Sequence, residues 1–232
     1  MLQIRICIAA GLALSVLLTA TATFARDDDT SPLTGQIATD DNSAEAIKLR
    51  AGPGDPVAGK GKSLLCQGCH GEAGISLEPL VPSLAGQYGR YIQKQIRNYQ
   101  AGTRSHQIMN AMAGTLDDPN DVADIAAYFA SQNKMKGEGA GNDVGKNLFL
   151  HGDISRMTIA CVNCHGVRGK GLTPNTSAFP VLGGQQKEYI HRQLMNFRAG
   201  IRTNSPNNIM NRITQKLTDD EIEALAEYVS AQ

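Results

Sequence analysis

Two five-residue segments carry the most distinctive chemistry in the chain. Cys66–His70 has the sequence CQGCH and Cys161–His165 has the sequence CVNCH. This CxxCH spacing is typical of c-type haem attachment, because the two thiols can form thioethers with the vinyl groups of one porphyrin. The adjacent histidine then lies under the iron as an axial ligand. The pattern predicts two covalently bound haem c groups, attached through Cys66, Cys69, Cys161 and Cys164 and ligated by His70 and His165.

A CxxC pair also occurs in redox dithiols and in zinc sites, which are the alternatives to haem attachment. Neither alternative requires a histidine directly after the second cysteine. The chain has 5 cysteines, and Cys7 lies in an N-terminal segment that we expect to be removed. The two motifs use all the other cysteines, which favours haem attachment in both.

The composition limits the architecture and the class of partner. A chain of 232 residues is long for one domain and sufficient for two. It has no tryptophan and only 5% aromatic residues, so a porphyrin buried in each domain would supply apolar bulk that the side chains lack. With 22 basic and 22 acidic residues the formal charge is zero, and no basic footprint indicates a nucleic-acid partner.

The first residues have the pattern of a secretory signal. Arg5 precedes an apolar stretch, and small residues then offer cleavage after Ala22 or Ala25. The alternative is that residues 1–25 stay as an anchor that associates the protein loosely with a membrane. The apolar stretch is shorter than a typical span of about 20 residues, which favours cleavage.

The chain from residue 56 onward contains an internal repeat. Pro82–Gln87 (PSLAGQ) returns as Pro180–Gln185 (PVLGGQ), 98 residues later. Further positions recur at the same offset, namely Tyr91 and Tyr189, Gln95 and Gln193, Asn98 and Asn196, and Arg104 and Arg202. The sequence therefore predicts a tandem duplication.

The repeat and the composition together divide the chain. The residues before the repeat are polar and acidic, and the segment between its two copies is rich in glycine and lysine. We predict a signal peptide over 1–25, a flexible acidic leader over 26–54, a first domain over 55–132, a linker over 133–142 and a second domain over 143–232. Within the leader, Ala44–Leu49 is a candidate for a short helix.

Apolar residues three and four positions apart predict helices in both halves, over about 56–65, 88–100, 143–150 and 186–198. The last helix of each half has a start signal, with Asp118 before Pro119 in the first half and Thr218 three residues before Glu221 in the second. No segment alternates as a strand would. The predicted fold class is all-α, with two tandem helical domains that each wrap around one haem.

Each predicted iron needs a ligand on the face opposite its histidine, and methionine would raise the reduction potential. The first half offers Met109 and Met112, and the second half offers Met210. Counting back seven residues from Leu116 and its counterpart pairs Met109 with Met210. Counting forward eight residues from Arg104 and its counterpart pairs Met112 with Met210 instead. The repeat by itself leaves both registers open.

Other polar residues near these methionines have two interpretations. His106 could compete for the first iron, but its counterpart in the second half is Asn204. The recurring tyrosines and arginines are candidates for contacts with the haem carboxylates. The alternative is that duplication preserved them for packing alone.

Over residues 56–232 the chain resembles the cytochrome c4 family of dihaem electron carriers, which implies that both domains are cytochrome c-like. The resemblance rests on the CxxCH motifs, the repeated Pro-x-Leu segments, the Tyr-x-x-x-Gln helices, and the arginine-bearing loop with its methionine. In that family the methionine ligand lies seven residues before the leucine, so the resemblance implies Met109 and Met210 as axial ligands. It also implies that the carbonyl groups of Pro82 and Pro180 orient the two histidines.

The resemblance further implies an electron carrier and not an enzyme. It also implies a periplasmic location, since such haem is attached outside the cytoplasm. Its implied partners are a quinol-oxidising cytochrome complex as donor and a terminal oxidase as acceptor. One alternative is the cytochrome subunit of a periplasmic, flavocytochrome-like dehydrogenase. Another is a dihaem peroxidase, but that enzyme needs an accessible iron, and a methionine on each iron argues against it.

Overall fold

The computed structural model describes residues 42–172 and 176–232, and helices dominate both ranges. In this part of the chain the β structure is confined to an isolated antiparallel bridge between Asp153 and Thr158. The predicted all-α class is therefore confirmed. None of the helices in the two ranges is long and apolar enough to cross a membrane. The predicted signal segment lies outside the described residues.

Apart from one extra helix at the start of the first half, the helices of the two halves follow the same order along the chain. The first half forms α1 (Ala44–Ala51), α2 (Pro56–Lys62), α3 (Leu64–His70), α4 (Gly89–Gln100), α5 (Gln107–Ala113) and α6 (Pro119–Ser131). The second half forms α7 (Asp143–His151), α8 (Val162–His165), α9 (Lys187–Arg198), α10 (Ile209–Thr214) and α11 (Asp219–Ser230). The helix predicted over 56–65 is interrupted, because α2 ends at Lys62 and α3 begins at Leu64, with Ser63 between them.

The predicted start signals of the two last helices are confirmed. The Asp118 carboxylate accepts a hydrogen bond from the Asn120 backbone N–H, and Pro119 occupies the first turn of α6. Thr218 and Glu221 form a complete capping box at the start of α11. Both caps satisfy backbone donors that the helix itself leaves without partners.

The last helix of each half forms the centre of its core. Ile125 and Phe129 of α6 are buried within the first core, and Ile222 and Leu225 of α11 are buried within the second. A glycine allows α2 to approach α6 closely, because a Cβ on Gly59 would lie 1.9 Å from the Asp124 carbonyl oxygen. Gly145 of α7 is equally close to α11, with a Cβ 2.0 Å from the Ala224 carbonyl oxygen.

The end of the leader forms the short helix expected over Ala44–Leu49, and this helix packs against the rest of the protein instead of being flexible. The Arg50 side chain at the end of α1 is only 2% exposed. Its Nε donates to the Ala130 carbonyl at 2.8 Å, and its Nη2 donates to the Gln132 carbonyl at 3.1 Å. These bonds attach α1 to the end of α6, a partner about 80 residues away that local composition does not reveal.

The two halves contact each other through a reciprocal pair of glutamines. Gln87 of the first half bonds both backbone groups of Val181, at 2.8 and 2.9 Å. Gln185 of the second half bonds both backbone groups of Ser83, at 2.8 and 2.9 Å. Each contact repeats the other at the offset of 98 residues. The halves are therefore related as the subunits of a two-fold symmetric dimer would be.

The segment predicted as a linker over 133–142 is packed between the halves at its start. Met135 is 1% exposed and lies in a core cluster with Tyr88 of the first half and Val181 of the second. The Lys170 ammonium donates to the Met135 carbonyl at 2.7 Å. This part of the segment therefore contributes to the contact between the halves.

We expect Gly171→Ala to destabilise the protein by about 1–3 kcal/mol, because two features of this position exclude a side chain. The backbone has a φ of +94°, and a Cβ would lie 1.9 Å from the Tyr88 hydroxyl of the other half. The measurement is the denaturant midpoint of the holoprotein. Gly61→Ala is the matched control, since Gly61 lies in exposed helix with nothing within 4 Å of the added Cβ. Equal midpoints for the two variants would contradict the prediction.

Candidate functional site

Both CxxCH motifs place their thiols and histidine at the end of a short helix. Helix α3 contains Cys66 and Cys69 and ends at His70, while Cys161 directly precedes α8. None of the four motif cysteines is paired in a disulfide. Before haem attachment, burial raises the pKa of the Cys66 thiol and raises that of Cys161 to about 12.

The motifs do not form a zinc site made of protein groups alone. Within residues 42–172 and 176–232 no cluster of three or more histidine, cysteine, aspartate or glutamate side chains could hold a metal ion. A structural zinc site needs four such ligands. The zinc interpretation therefore finds no support in the described part of the chain.

Each motif histidine is buried and oriented by a proline carbonyl. His70 Nδ1 lies 2.8 Å from the Pro82 carbonyl oxygen, and His165 Nδ1 lies 3.0 Å from that of Pro180. The two acceptors implied by the resemblance are therefore confirmed. A carbonyl can only accept, so Nδ1 carries the proton and Nε2 keeps its lone pair for a metal. Burial also lowers the pKa of both rings, which favours the neutral form that binds iron.

Two asparagines fix the register between the methionine loops. Asn110 Nδ2 donates to the Tyr99 carbonyl at 2.6 Å, and Asn211 Nδ2 donates to the equivalent Phe197 carbonyl at 2.6 Å. Asn110 follows Met109 directly, as Asn211 follows Met210. The structure therefore makes Met109, and not Met112, the counterpart of Met210.

The register changes because the second loop is longer. Arg104 precedes Asn110 by six residues, whereas Arg202 precedes Asn211 by nine. The 3₁₀ turn Pro206–Asn208 lies in this longer loop. Sequence reasoning did not use the asparagines, although the repeated Met-Asn dipeptide was a signal that could have found them.

The remaining candidates near the first methionine have other contacts. Met109 packs against the first core cluster, and Met112 lies on the wall of the same cavity. The His106 ring accepts a hydrogen bond from the Met109 backbone N–H at 3.4 Å and so caps the start of α5. This bond gives the ring a structural role at the helix terminus.

One cavity of about 480 Å³ brings together all the residues predicted to bind haem. Its walls include both cysteine pairs, both histidines and both paired methionines, namely Cys66, Cys69, His70, Met109, Cys161, Cys164, His165 and Met210. The volume is in the range of ordinary ligand pockets. The cavity extends across both halves, so the two predicted sites are continuous with each other.

The walls of the cavity fit a large apolar group that also carries polar atoms. Leu65, Ile108 and Ile201 line it yet remain 73%, 60% and 73% exposed, which is unusual for large apolar side chains that lie together. Gln95 is 7% exposed, and its Nε2 has no hydrogen-bond partner among the described residues. Thiol, imidazole and thioether groups around such a cavity fit haem.

The chain matches known proteins over most of its length. A family model described as cytochrome c matches residues 144–232. The chain is 40% identical to cytochrome c4 of Azotobacter vinelandii over 187 residues, which cover 76% of this chain and 88% of that protein. The crystal structure of reduced recombinant cytochrome c4 from Pseudomonas stutzeri has a TM-score of 0.72 and 38% identity, covering 77% of this chain and 98% of that chain. The chain belongs to the cytochrome c4 family.

Membership of the cytochrome c4 family confirms two of the predictions. The chain carries two covalently bound haem c groups, and it is an electron carrier rather than an enzyme. A further relative is named thiosulfate dehydrogenase electron acceptor and comes from Stutzerimonas stutzeri. It is 34% identical over 174 residues, which cover 72% of this chain and 78% of that protein.

Proposed function

We propose that each half holds one haem through its own cysteine pair, histidine and methionine. These residues are Cys66, Cys69, His70 and Met109 in the first half, and Cys161, Cys164, His165 and Met210 in the second. The observation that carries the proposal is that all eight line one cavity in which a proline carbonyl orients each histidine. When bound, haem supplies one-electron redox chemistry.

In each haem site, the histidine and the methionine of the chain tune that chemistry. The Pro82 and Pro180 carbonyls hold the proton on Nδ1 of their histidines, which fixes the ring orientation and makes Nε2 a stronger donor. The thioethers of Met109 and Met210 favour the ferrous state and raise the reduction potential.

In this proposal the protein works in the periplasm after cleavage of residues 1–25, with haem domains over 55–132 and 143–232 joined by 133–142. It accepts electrons from a quinol-oxidising cytochrome complex and passes them to a terminal oxidase. Membership of the cytochrome c4 family supports this assignment. Positive potentials from methionine ligation suit an acceptor of electrons from quinol oxidation.

A second candidate partner is a periplasmic dehydrogenase. The relative from Stutzerimonas stutzeri whose name describes an electron acceptor of thiosulfate dehydrogenase supports this alternative. The haem sites would be the same in both cases, and only the donor would differ.

Rapid-mixing kinetics test the proposed partners. The donors and the acceptor are isolated from the organism that makes this chain. We expect the quinol-oxidising complex to reduce the oxidised protein at least ten times faster than a thiosulfate-oxidising dehydrogenase does, and the terminal oxidase to reoxidise it at a comparable rate. Mixtures without donor or acceptor provide the control. The reverse preference would assign the chain to the dehydrogenase instead.

A further inference from the structure

Four cationic side chains line the cavity where the two halves meet. They form two pairs at the offset of 98 residues, with Lys94 equivalent to Arg192 and Arg104 equivalent to Arg202. The described residues that line this cavity include no aspartate or glutamate. The cavity therefore has a positive charge that these protein groups do not neutralise.

Each of the four cations is held by the opposite half. The Arg104 guanidinium donates to the Tyr189 hydroxyl at 2.9 Å, and the Arg202 guanidinium donates to the Tyr91 hydroxyl at 3.1 Å. The outer pair repeats this arrangement, since Lys94 donates to the Asn204 carbonyl and Arg192 donates to the Leu80 carbonyl, both at 2.6 Å. The positions of these charges thus depend on contact between the halves.

The glutamines of the repeat connect the two arginines. Gln95 Oε1 accepts from Arg104 at 2.7 Å and from Arg202 at 3.3 Å. Gln193 Oε1 accepts from Arg202 at 2.9 Å and from Arg104 at 3.1 Å. Both arginines are 8% exposed, and the partners named here are neutral oxygen atoms. Burying two charges in this way is costly unless an anion approaches them.

Two further groups respond to this positive charge. Burial lowers the pKa of Lys94, and nearby Arg202 and Arg104 lower it further. Burial opposes ionisation of the Tyr189 hydroxyl, but the surrounding arginines, Arg104 above all, outweigh burial and lower its pKa. Gln95 adds a buried amide donor without a partner in the described residues. These observations together indicate a site for anions.

We propose that this cluster binds the haem carboxylates of both halves. Tyr189 of the second half positions Arg104, which serves the first haem. Tyr91 of the first half positions Arg202, which serves the second haem. The proposal rests on the haem sites of the proposed function. Each haem carries two carboxylates, so two haems match the four cations in charge. The reduction potential of each haem then depends on a tyrosine in the opposite half.

The expected direction follows from electrostatics. A cation near the iron favours the ferrous state, because that state carries one positive charge fewer. Arg104→Gln should therefore lower the potential of the first haem, with about a tenfold lower ratio of reduced to oxidised haem at fixed applied potential, or about 59 mV. Arg104→Lys keeps the charge and should recover most of that shift.

The decisive measurement is a redox titration of Tyr189→Phe and Tyr91→Phe holoproteins. NMR of methionine methyl groups follows each haem separately, with assignments from methionine variants. At a fixed applied potential, we expect Tyr189→Phe to lower the ratio of the reduced to the oxidised form of the first haem about threefold. The same ratio for the second haem should not change. Tyr91→Phe should give the mirror image. Tyr128→Phe is the control, because that buried hydroxyl bonds the Glu72 carbonyl in the same half and contacts none of the cations.

A shift confined to the haem of the tyrosine's own half, or no shift in either variant, would overturn the proposal. The wild-type spectrum tests the proposed function separately. Two low-spin haems in wild type with unmoved potentials in the tyrosine variants would refute only the reciprocal site. A wild-type spectrum without two low-spin haems would refute the proposed function as well.

Discussion

Met109→Leu is expected to abolish one of the two spectral signatures of a methionine sulfur bound to haem iron, and to open the first haem to carbon monoxide. Leucine has no lone pair to offer, so the sixth position on that iron becomes available to an exogenous ligand. Loss of the thioether should also lower the potential of that haem. Absorption spectra of the oxidised protein, and of the reduced protein under carbon monoxide, measure both effects.

Met112→Leu is the matched control because it makes the same chemical change three residues away on α5. It should retain both signatures and bind no carbon monoxide. The expectation follows from Asn110 and Asn211, whose equivalent hydrogen bonds pair Met109 with Met210. If Met112→Leu opened the haem and Met109→Leu did not, the register counted from Arg104 would be the functional one.

Replacing Cys161 and Cys164 together by alanine is expected to leave the second half largely disordered. Its core and its haem cavity share side chains, since Phe149, Ile190 and Leu225 belong to both. Without covalent haem these apolar surfaces face water, and the half is too small and too poor in aromatics to compensate. We expect loss of the helical signal of the second half, with rapid cleavage there by protease.

Circular dichroism and limited proteolysis measure this outcome. Asn163→Ala is the control, because Asn163 lies exposed between the two cysteines and its replacement leaves both thiols in place. The first half should keep its own haem spectrum in the double variant. Full helical signal and protease resistance in that variant would show that the second half folds without haem.

The amino-acid sequence by itself determined the chemistry and the local structure. The CxxCH spacing places two thiols and an imidazole within one turn of chain, so neighbouring residues suffice to specify it. Asp118 and Thr218 cap the last helices as predicted, because a cap is a contact between residues two or three positions apart. The repeat offset of 98 residues likewise revealed the duplication without any knowledge of contacts.

The tertiary structure alone decided which distant groups meet. The attachment of Arg50 to the end of α6 joins segments about 80 residues apart, so the local composition of the leader does not reveal it. The pairing of Met109 with Met210 depends on hydrogen bonds made by Asn110 and Asn211 across a loop of unequal length. A duplication shows that two halves are alike, but their mutual orientation depends on which surfaces bury each other. That orientation brings four cations into one cavity, which no periodicity in the sequence indicates.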